Sequence, residues 1–259
     1  MKRWIAAASM IVLLAGASAA MAADNPFAGT WKVNKDKSKM VGDVVKFSPA
    51  GADSVKVTFG AVSYDFKPDG SETQTPFGTA AWKKVDDNTW HEVDKVKGND
   101  AGESTWKVSG DGKTLEVESK GKKANGDSYD DTATYSRIAG TKGFMGTWKS
   151  TKVNVSAPNT FEMKDNGDGT MTYSLVEEKA SFTSKMDGKE VKGEGPMVPE
   201  GIMLGTSKVG PRSFRMTEHI GGKLTYTGTF TVSADGKTMT EKSTPIGSSE
   251  TETVVYEKQ

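Results

Sequence analysis

Phe27-Ala28-Gly29-Thr30-Trp31-Lys32 stands near the start of the chain, and Phe144-Met145-Gly146-Thr147-Trp148-Lys149 stands just past its middle. Each opens a segment that runs through the same later landmarks. Val108-Ser109-Gly110-Asp111-Gly112-Lys113-Thr114 matches Val232-Ser233-Ala234-Asp235-Gly236-Lys237-Thr238. Thr132-Ala133-Thr134-Tyr135-Ser136-Arg137 matches Thr253-Val254-Val255-Tyr256-Glu257-Lys258. Three landmarks in the same order read as a duplication, with a period too long for a solenoid repeat. Each copy is therefore expected to be a domain, over residues 24–138 and 143–259. The short join from Ile138 to Gly143 predicts copies that pack together rather than swing freely.

Within the copies the local period is two. Val55, Val57 and Phe59 alternate with Lys56 and Thr58, and Val62, Tyr64 and Phe66 with Ser63 and Asp65. Leu224, Tyr226, Gly228, Phe230 and Val232 share one face of a threonine-rich run. This is the pattern of sheets buried on one side. Asp-Gly, Asn-Gly and Gly-Gly pairs separate the runs and supply the positive φ of tight hairpins. No amphipathic helix of three turns is visible. Sequential hairpins leave two sticky edges in an open sheet, and closure into an up-and-down antiparallel β-barrel removes them. The fold predicted is all-β, two tandem barrels. A two-sheet sandwich per copy, or one larger sheet made from both, are the alternatives.

The N-terminus reads as an address. Lys2 and Arg3 precede an apolar run from Trp4 to Ala15, and Ala20-Met21-Ala22 offers a small-x-small cleavage site. Residues 1–22 are expected to be a signal peptide. The rival, an uncleaved anchor, would have to draw on Ala, Gly and Ser, which partition weakly into hydrocarbon. Periplasmic or secreted localisation follows, with no membrane span after cleavage.

Lys plus Arg equals Asp plus Glu at 34 each, a balance that argues against a nucleic-acid partner. Cysteine is absent and there are two histidines, so thiolate chemistry and a multi-histidine metal cage are not expected. His91 and His219 do not occupy matching positions of the two copies and read as surface or rim residues. Asp165-Asn166-Gly167-Asp168-Gly169-Thr170 lacks regular calcium ligands and reads as a hairpin turn. Lys35 to Lys39 reads as a solvated loop.

The Gly-x-Trp opening, with a terminal Tyr near each copy's end, resembles the calycin barrels, which include lipocalins and intracellular fatty-acid-binding proteins. It also resembles a group of exported bacterial proteins of lipocalin-like type. The resemblance implies that the first and last strands of each copy are neighbours and that Trp31 and Trp148 each plug one end of their own barrel. Gly29 and Gly146 let the strand pass close to its neighbour. Arg137 would lie over the indole in copy one and Lys258 in copy two. The fatty-acid-binding branch grips its ligand carboxylate through an Arg-x-Tyr. Here the tyrosines survive as Tyr135 and Tyr256, while the arginine positions hold Ala133 and Val254, and carboxylate capture is not carried over.

The expected role is binding of a small hydrophobic or amphipathic molecule, without a cofactor and without catalysis. Trp82, Trp90, Trp106, Tyr135, Phe214 and Tyr256 are the candidate ligand walls. The three indoles could wall an apolar cup or fill the barrel, and filling is the favoured reading. The alternative role is an envelope structural or protein-interaction module with filled barrels. The stretch from Gly193 to Gly210, rich in Gly and Pro, is expected to be a long loop able to cover a barrel mouth.

Overall fold

A computed structural model describes residues 25–259, so the expected leader lies outside the described residues. The first ten strands are β1 (Gly29–Val33), β2 (Val44–Pro49), β3 (Val55–Phe59), β4 (Val62–Phe66), β5 (Asp69–Thr75), β6 (Gly78–Lys84), β7 (Thr89–Val96), β8 (Asn99–Val108), β9 (Thr114–Lys122) and β10 (Ser128–Lys142). The next ten are β11 (Met145–Asn154), β12 (Thr160–Asp165), β13 (Met171–Leu175), β14 (Ala180–Ser184), β15 (Asp187–Lys192), β16 (Ile202–Gly210), β17 (Ser213–Ile220), β18 (Lys223–Val232), β19 (Thr238–Ser243) and β20 (Glu252–Lys258). The described residues contain no α-helix, only a 3-10 turn at Lys35–Lys37. The all-β expectation holds.

Two antiparallel sheets of ten strands each curl into nearly closed barrels. In the first the order is β4-β3-β2-β11-β10-β9-β8-β7-β6-β5. In the second it is β14-β13-β12-β1-β20-β19-β18-β17-β16-β15. Each seam falls between two strands consecutive in sequence, β4 and β5 or β14 and β15. Interior and exterior residues alternate along the strands, and two aromatic-rich cores fill the interiors.

The sheets do not follow the repeat boundary. The opening strand of the first copy, β1, pairs with β12 and β20 of the second. The opening strand of the second copy, β11, pairs with β10 and β2 of the first. The first barrel is thus the continuous segment β2–β11, inserted between β1 and the rest of the second barrel. The segment from Ile138 to Gly143, read as the link between barrels, is instead the end of strand β10 and the turn of a hairpin, with Lys142 paired to Met145. The chain passes between barrels at residues 34–43 and 155–159.

This exchange corrects the placement of the tryptophan plugs. Trp31 closes the second barrel, with Lys258 Nζ 5.2 Å from its ring centre, and Trp148 closes the first, with the Arg137 guanidinium 3.9 Å from its ring. The two ends are otherwise alike. Trp31 Nε1 donates to the Phe27 carbonyl at 2.9 Å, and Trp148 Nε1 donates to the Phe144 carbonyl at 2.9 Å. Both indoles are fully buried. Burial of each is worth on the order of 4 kcal/mol.

Arg137 does more than lie over a ring. It donates to the carbonyls of Gly112, Met145 and Gly143 at 2.5, 2.8 and 2.5 Å, tying the foot of the first barrel together. The glycines before the indoles differ in what faces them. A methyl group on Gly146 would overlap the Ala139 carbonyl, whereas one on Gly29 would meet the flexible end of Lys258. Both have φ near +140°, where any side chain is strained, at about 1–3 kcal/mol. Gly146→Ala is expected to destabilise its barrel by more than Gly29→Ala destabilises the other, measured by denaturant unfolding.

Candidate functional site

Each strand crossing leaves its barrel at the end opposite the tryptophan plug, so the two open ends face each other. Phe77, at the turn between β5 and β6, packs on Ala180, Val198, Ile202 and Ile220 at the mouth of the second barrel. Ile246, between β19 and β20, packs over Gly60 of the first. The junction is also tied by hydrogen bonds. The amide of Asn125 donates to the Glu177 carbonyl at 2.9 Å, and Lys97 Nζ donates to the Gly195 carbonyl at 3.1 Å. Lys123 Nζ donates to the Ala157 carbonyl at 2.5 Å and to Asn159 Oδ1 at 3.1 Å. Burial holds the Lys123 ammonium below its ordinary pKa and raises the carboxyl of nearby Glu178.

The first barrel is filled. Phe47 meets Trp82, Trp90 and Trp106 edge-on, with ring centres 6.0, 5.7 and 5.8 Å away. Phe66 stacks on Trp82 at 4.6 Å and Phe144 on Trp90 at 4.0 Å. Indole N–H groups buried this deeply need acceptors. Trp106 Nε1 donates to Glu92 Oε2 at 3.1 Å, and Trp82 Nε1 to the Tyr64 hydroxyl at 3.1 Å, which itself donates to Glu92 Oε1 at 3.3 Å. Trp82 and Trp90 are therefore core, bound into the packing.

The second barrel differs at the matching positions. Its register puts Thr206 where the first has Trp82, Phe214 for Trp90, and Phe230 for Trp106. Ser184 stands in the place of Phe66 and Leu175 in that of Phe59. Where the first barrel stacks Trp82 on Phe66, the second has Thr206 Oγ1 donating to Ser184 Oγ at 3.0 Å. The Tyr173 hydroxyl completes this network by donating to Thr206 at 3.3 Å. Burial pushes the Tyr173 phenol up to about 12, which keeps it a neutral donor. Phe214 and Phe230 stack at 4.8 Å and are core.

The second barrel holds a void, and Leu175, in the place of Phe59, is on its wall. A cavity of about 200 Å³ opens toward the mouth of the second barrel, walled by Leu175, Phe182, Leu204, Met216, Tyr226 and Tyr256. The first barrel roofs it with Val44, Phe59, Gly60 and Phe77. The hydroxyls of Tyr226 and Tyr256 donate to the two oxygens of buried Glu241 at 2.6 and 2.7 Å. At the wall, Glu218 accepts from Thr225 Oγ1 at 2.7 Å. A second, more polar cleft of about 170 Å³ lies at the mouth of the first barrel, among Trp106, Tyr129, Lys122, Lys123 and Glu178, with Met197 reaching in from the second.

Of the candidate ligand walls, Tyr135 and Tyr256 line the apolar cavity and Trp106 lines the polar cleft. Trp82, Trp90 and Phe214 line neither and serve as filling. Sequence reasoning missed Tyr226, Leu175, Leu204 and Glu218. For the first three the signal was the copy-to-copy register, which sets Tyr226 against Gly102, Leu175 against Phe59 and Leu204 against Ala80, while Glu218 matches another acid, Asp94.

The segment from Gly193 to Gly210 is a loop only as far as Gly201, since Ile202–Gly210 forms β16. Gly193 and Val198 of that loop line the cavity. His91 lies 3.4 Å from Glu103, and His219 is paired with Glu190. The Glu190–His219 pair occupies the register position of Glu72–Lys95 in the first barrel, so it repeats a strand-to-strand tie. Asp165 and Asp168 accept the backbone amides of Gly167 and Thr170 within the β12–β13 turn. Among the described residues no cluster of three or more His, Asp or Glu is placed to hold a metal ion. None of their helices is long and apolar enough to cross a membrane. No family model, curated protein or solved structure matches the chain.

Proposed function

We propose that this is an exported, non-catalytic carrier of lipocalin-like type, which holds one small apolar or amphipathic molecule in the second barrel while the first barrel covers it. The observation that carries the reading is the contrast between two copies of one design. One is filled by stacked indoles, and the other gives up two of those large side chains and keeps a roofed apolar void. A void walled by apolar side chains is costly unless something fills it.

Size narrows the cargo. An apolar protein cavity of about 150 Å³ takes up benzene. A space of about 200 Å³ suits a substituted single ring or a short branched chain, and a long-chain fatty acid does not fit. The filled first barrel favours a structural role for that half, as the lid of the site.

The test is thermal unfolding and calorimetry with toluene, p-cresol and indole as probes, on the natural chain and on Leu175→Phe. That substitution copies Phe59 from the filled barrel into the void. The natural chain is expected to bind with one saturable site, raising stability by about 2.7 kcal/mol when free ligand is 100-fold above Kd. Leu175→Phe is expected to keep its fold and lose at least 10-fold in affinity. No saturable binding, or equal binding by both proteins, would overturn the reading.

A further inference from the structure

We infer that the molecule taken up by the second barrel carries a cationic amine, its apolar body in the void and its ammonium group against Glu218. This deepens the carrier reading and rests on it.

The charge lining the void is of one sign. Glu218 from the second barrel and Asp43 from the first are its ionic side chains, and among the described residues no Lys, Arg or His lines it. An anion entering this space would give up hydration without meeting a countercharge, whereas a cation would meet one. The neighbouring polar cleft is the contrast. There Lys95, Lys122 and Lys123 stand among the carboxylates of Asp94, Asp131 and Glu178. Asp94 holds the register position of Glu218, opposite Gly102 as Glu218 is opposite Tyr226. The two copies thus keep an acid at one place on the barrel wall.

The hydrogen bonds point the same way. The Tyr226 and Tyr256 hydroxyls at the wall donate to Glu241. Thr225 Oγ1 donates to both the carboxylate and the backbone carbonyl of Glu218, at 2.7 and 3.2 Å, which fixes the acid's direction. A second buried carboxylate, Glu252, sits beside Ser243 on the interior face of the same barrel. An ammonium group donates three hydrogen bonds and accepts none, and aromatic faces such as those of Tyr226 and Phe230 also favour a cation. With the volume above, the class is an arylalkylamine of one ring or a short branched alkylamine.

The experiment uses the full mature chain and three probes of matched size: 2-phenylethylamine, 3-phenylpropanoate and propylbenzene. Each is titrated by calorimetry at neutral pH into the natural protein and into Glu218→Gln. The amine is expected to bind on the order of 10- to 100-fold more tightly than the carboxylate, as one charge-assisted contact allows. Glu218→Gln should remove most of that preference while propylbenzene binds both proteins alike, which also shows the variant to be folded. Propylbenzene binding with the amine no tighter than the carboxylate would overturn the amine inference and leave the carrier standing. An amine preference unchanged in Glu218→Gln would overturn the role given to Glu218. Failure of all three probes to bind would overturn the carrier reading itself.

Discussion

Trp31→Ala is expected to unfold the second barrel and leave the first folded, although Trp31 belongs to the first repeat. Its indole is fully buried in the second core, against the side chain of Lys258 and under a hydrogen bond to Phe27. Truncation removes most of that surface and leaves a void at the barrel's foot, at about 3–5 kcal/mol. A domain of this size has about 5–15 kcal/mol in all, so the loss is a large fraction of its stability. The readout is convenient. Trp82, Trp90, Trp106 and Trp148 all sit in the first barrel, so their fluorescence in Trp31→Ala should follow a natural unfolding curve. Far-ultraviolet circular dichroism should show an earlier, separate loss of strand. Trp148→Ala should do the reverse and weaken the barrel that holds the other three indoles. If Trp31→Ala instead shifts the fluorescence transition of the first barrel, the strand exchange is wrong.

The exchange was physically legible in one place and hidden in others. Phe-x-Gly-Thr-Trp-Lys opens both copies, and each copy closes on a long basic residue able to lie over an indole. Either opening strand therefore fits either slot, and side-chain chemistry cannot choose between them. Chain length can. Lys142 and Met145 are separated by Gly143 and Phe144 alone, with Gly143 at φ +54°, and so short a connection between two strands makes an antiparallel hairpin. β11 must then pair with β10 and takes the place β1 would have had. The longer passage at residues 34–43 lets β1 fill the slot this leaves vacant beside β20. Read as a linker, the same short join hid this consequence.

The barrels themselves, by contrast, were plain in the alternation of Val57, Tyr64 or Phe230 with polar neighbours and in the Gly-containing turns. The void was not, because no single residue encodes it. Its walls include Leu175, Leu204, Met216 and Tyr226 where the other copy has Phe59, Ala80, Glu92 and Gly102, a comparison that needs the strand register. Aromatic content pointed instead to the three indoles of copy one, the residues that leave least room. The tyrosines were found by their place near the copy ends, yet the part they play depends on Glu241, whose position in an ordinary Thr-Glu-Lys run carries no signal.

An inserted barrel should be separable at its own ends and not at the repeat boundary. Residues 43–154 contain all ten strands of the first barrel in one continuous stretch, including the Trp148 plug and its Arg137 partner. Expressed alone, this fragment is expected to be a folded monomer with buried indole emission and a single cooperative transition. The remainder can be closed as simply. Lys32 is paired with Thr160 across β1 and β12, so Val33 and Asn159 lie next to each other. Replacing residues 34–158 by Asn-Gly, a two-residue hairpin turn, should give a second free-standing barrel whose one tryptophan is Trp31. A tandem of two self-contained repeats predicts the opposite. There, 43–154 lacks the first strand of its own barrel, carries a strand belonging to the other, and exposes two unpaired edges that aggregate. A soluble, cooperative 43–154 fragment, with Trp148→Ala in it lowering stability by the same amount as in the full chain, is the result the exchanged topology requires. Aggregation of both fragments would remove it.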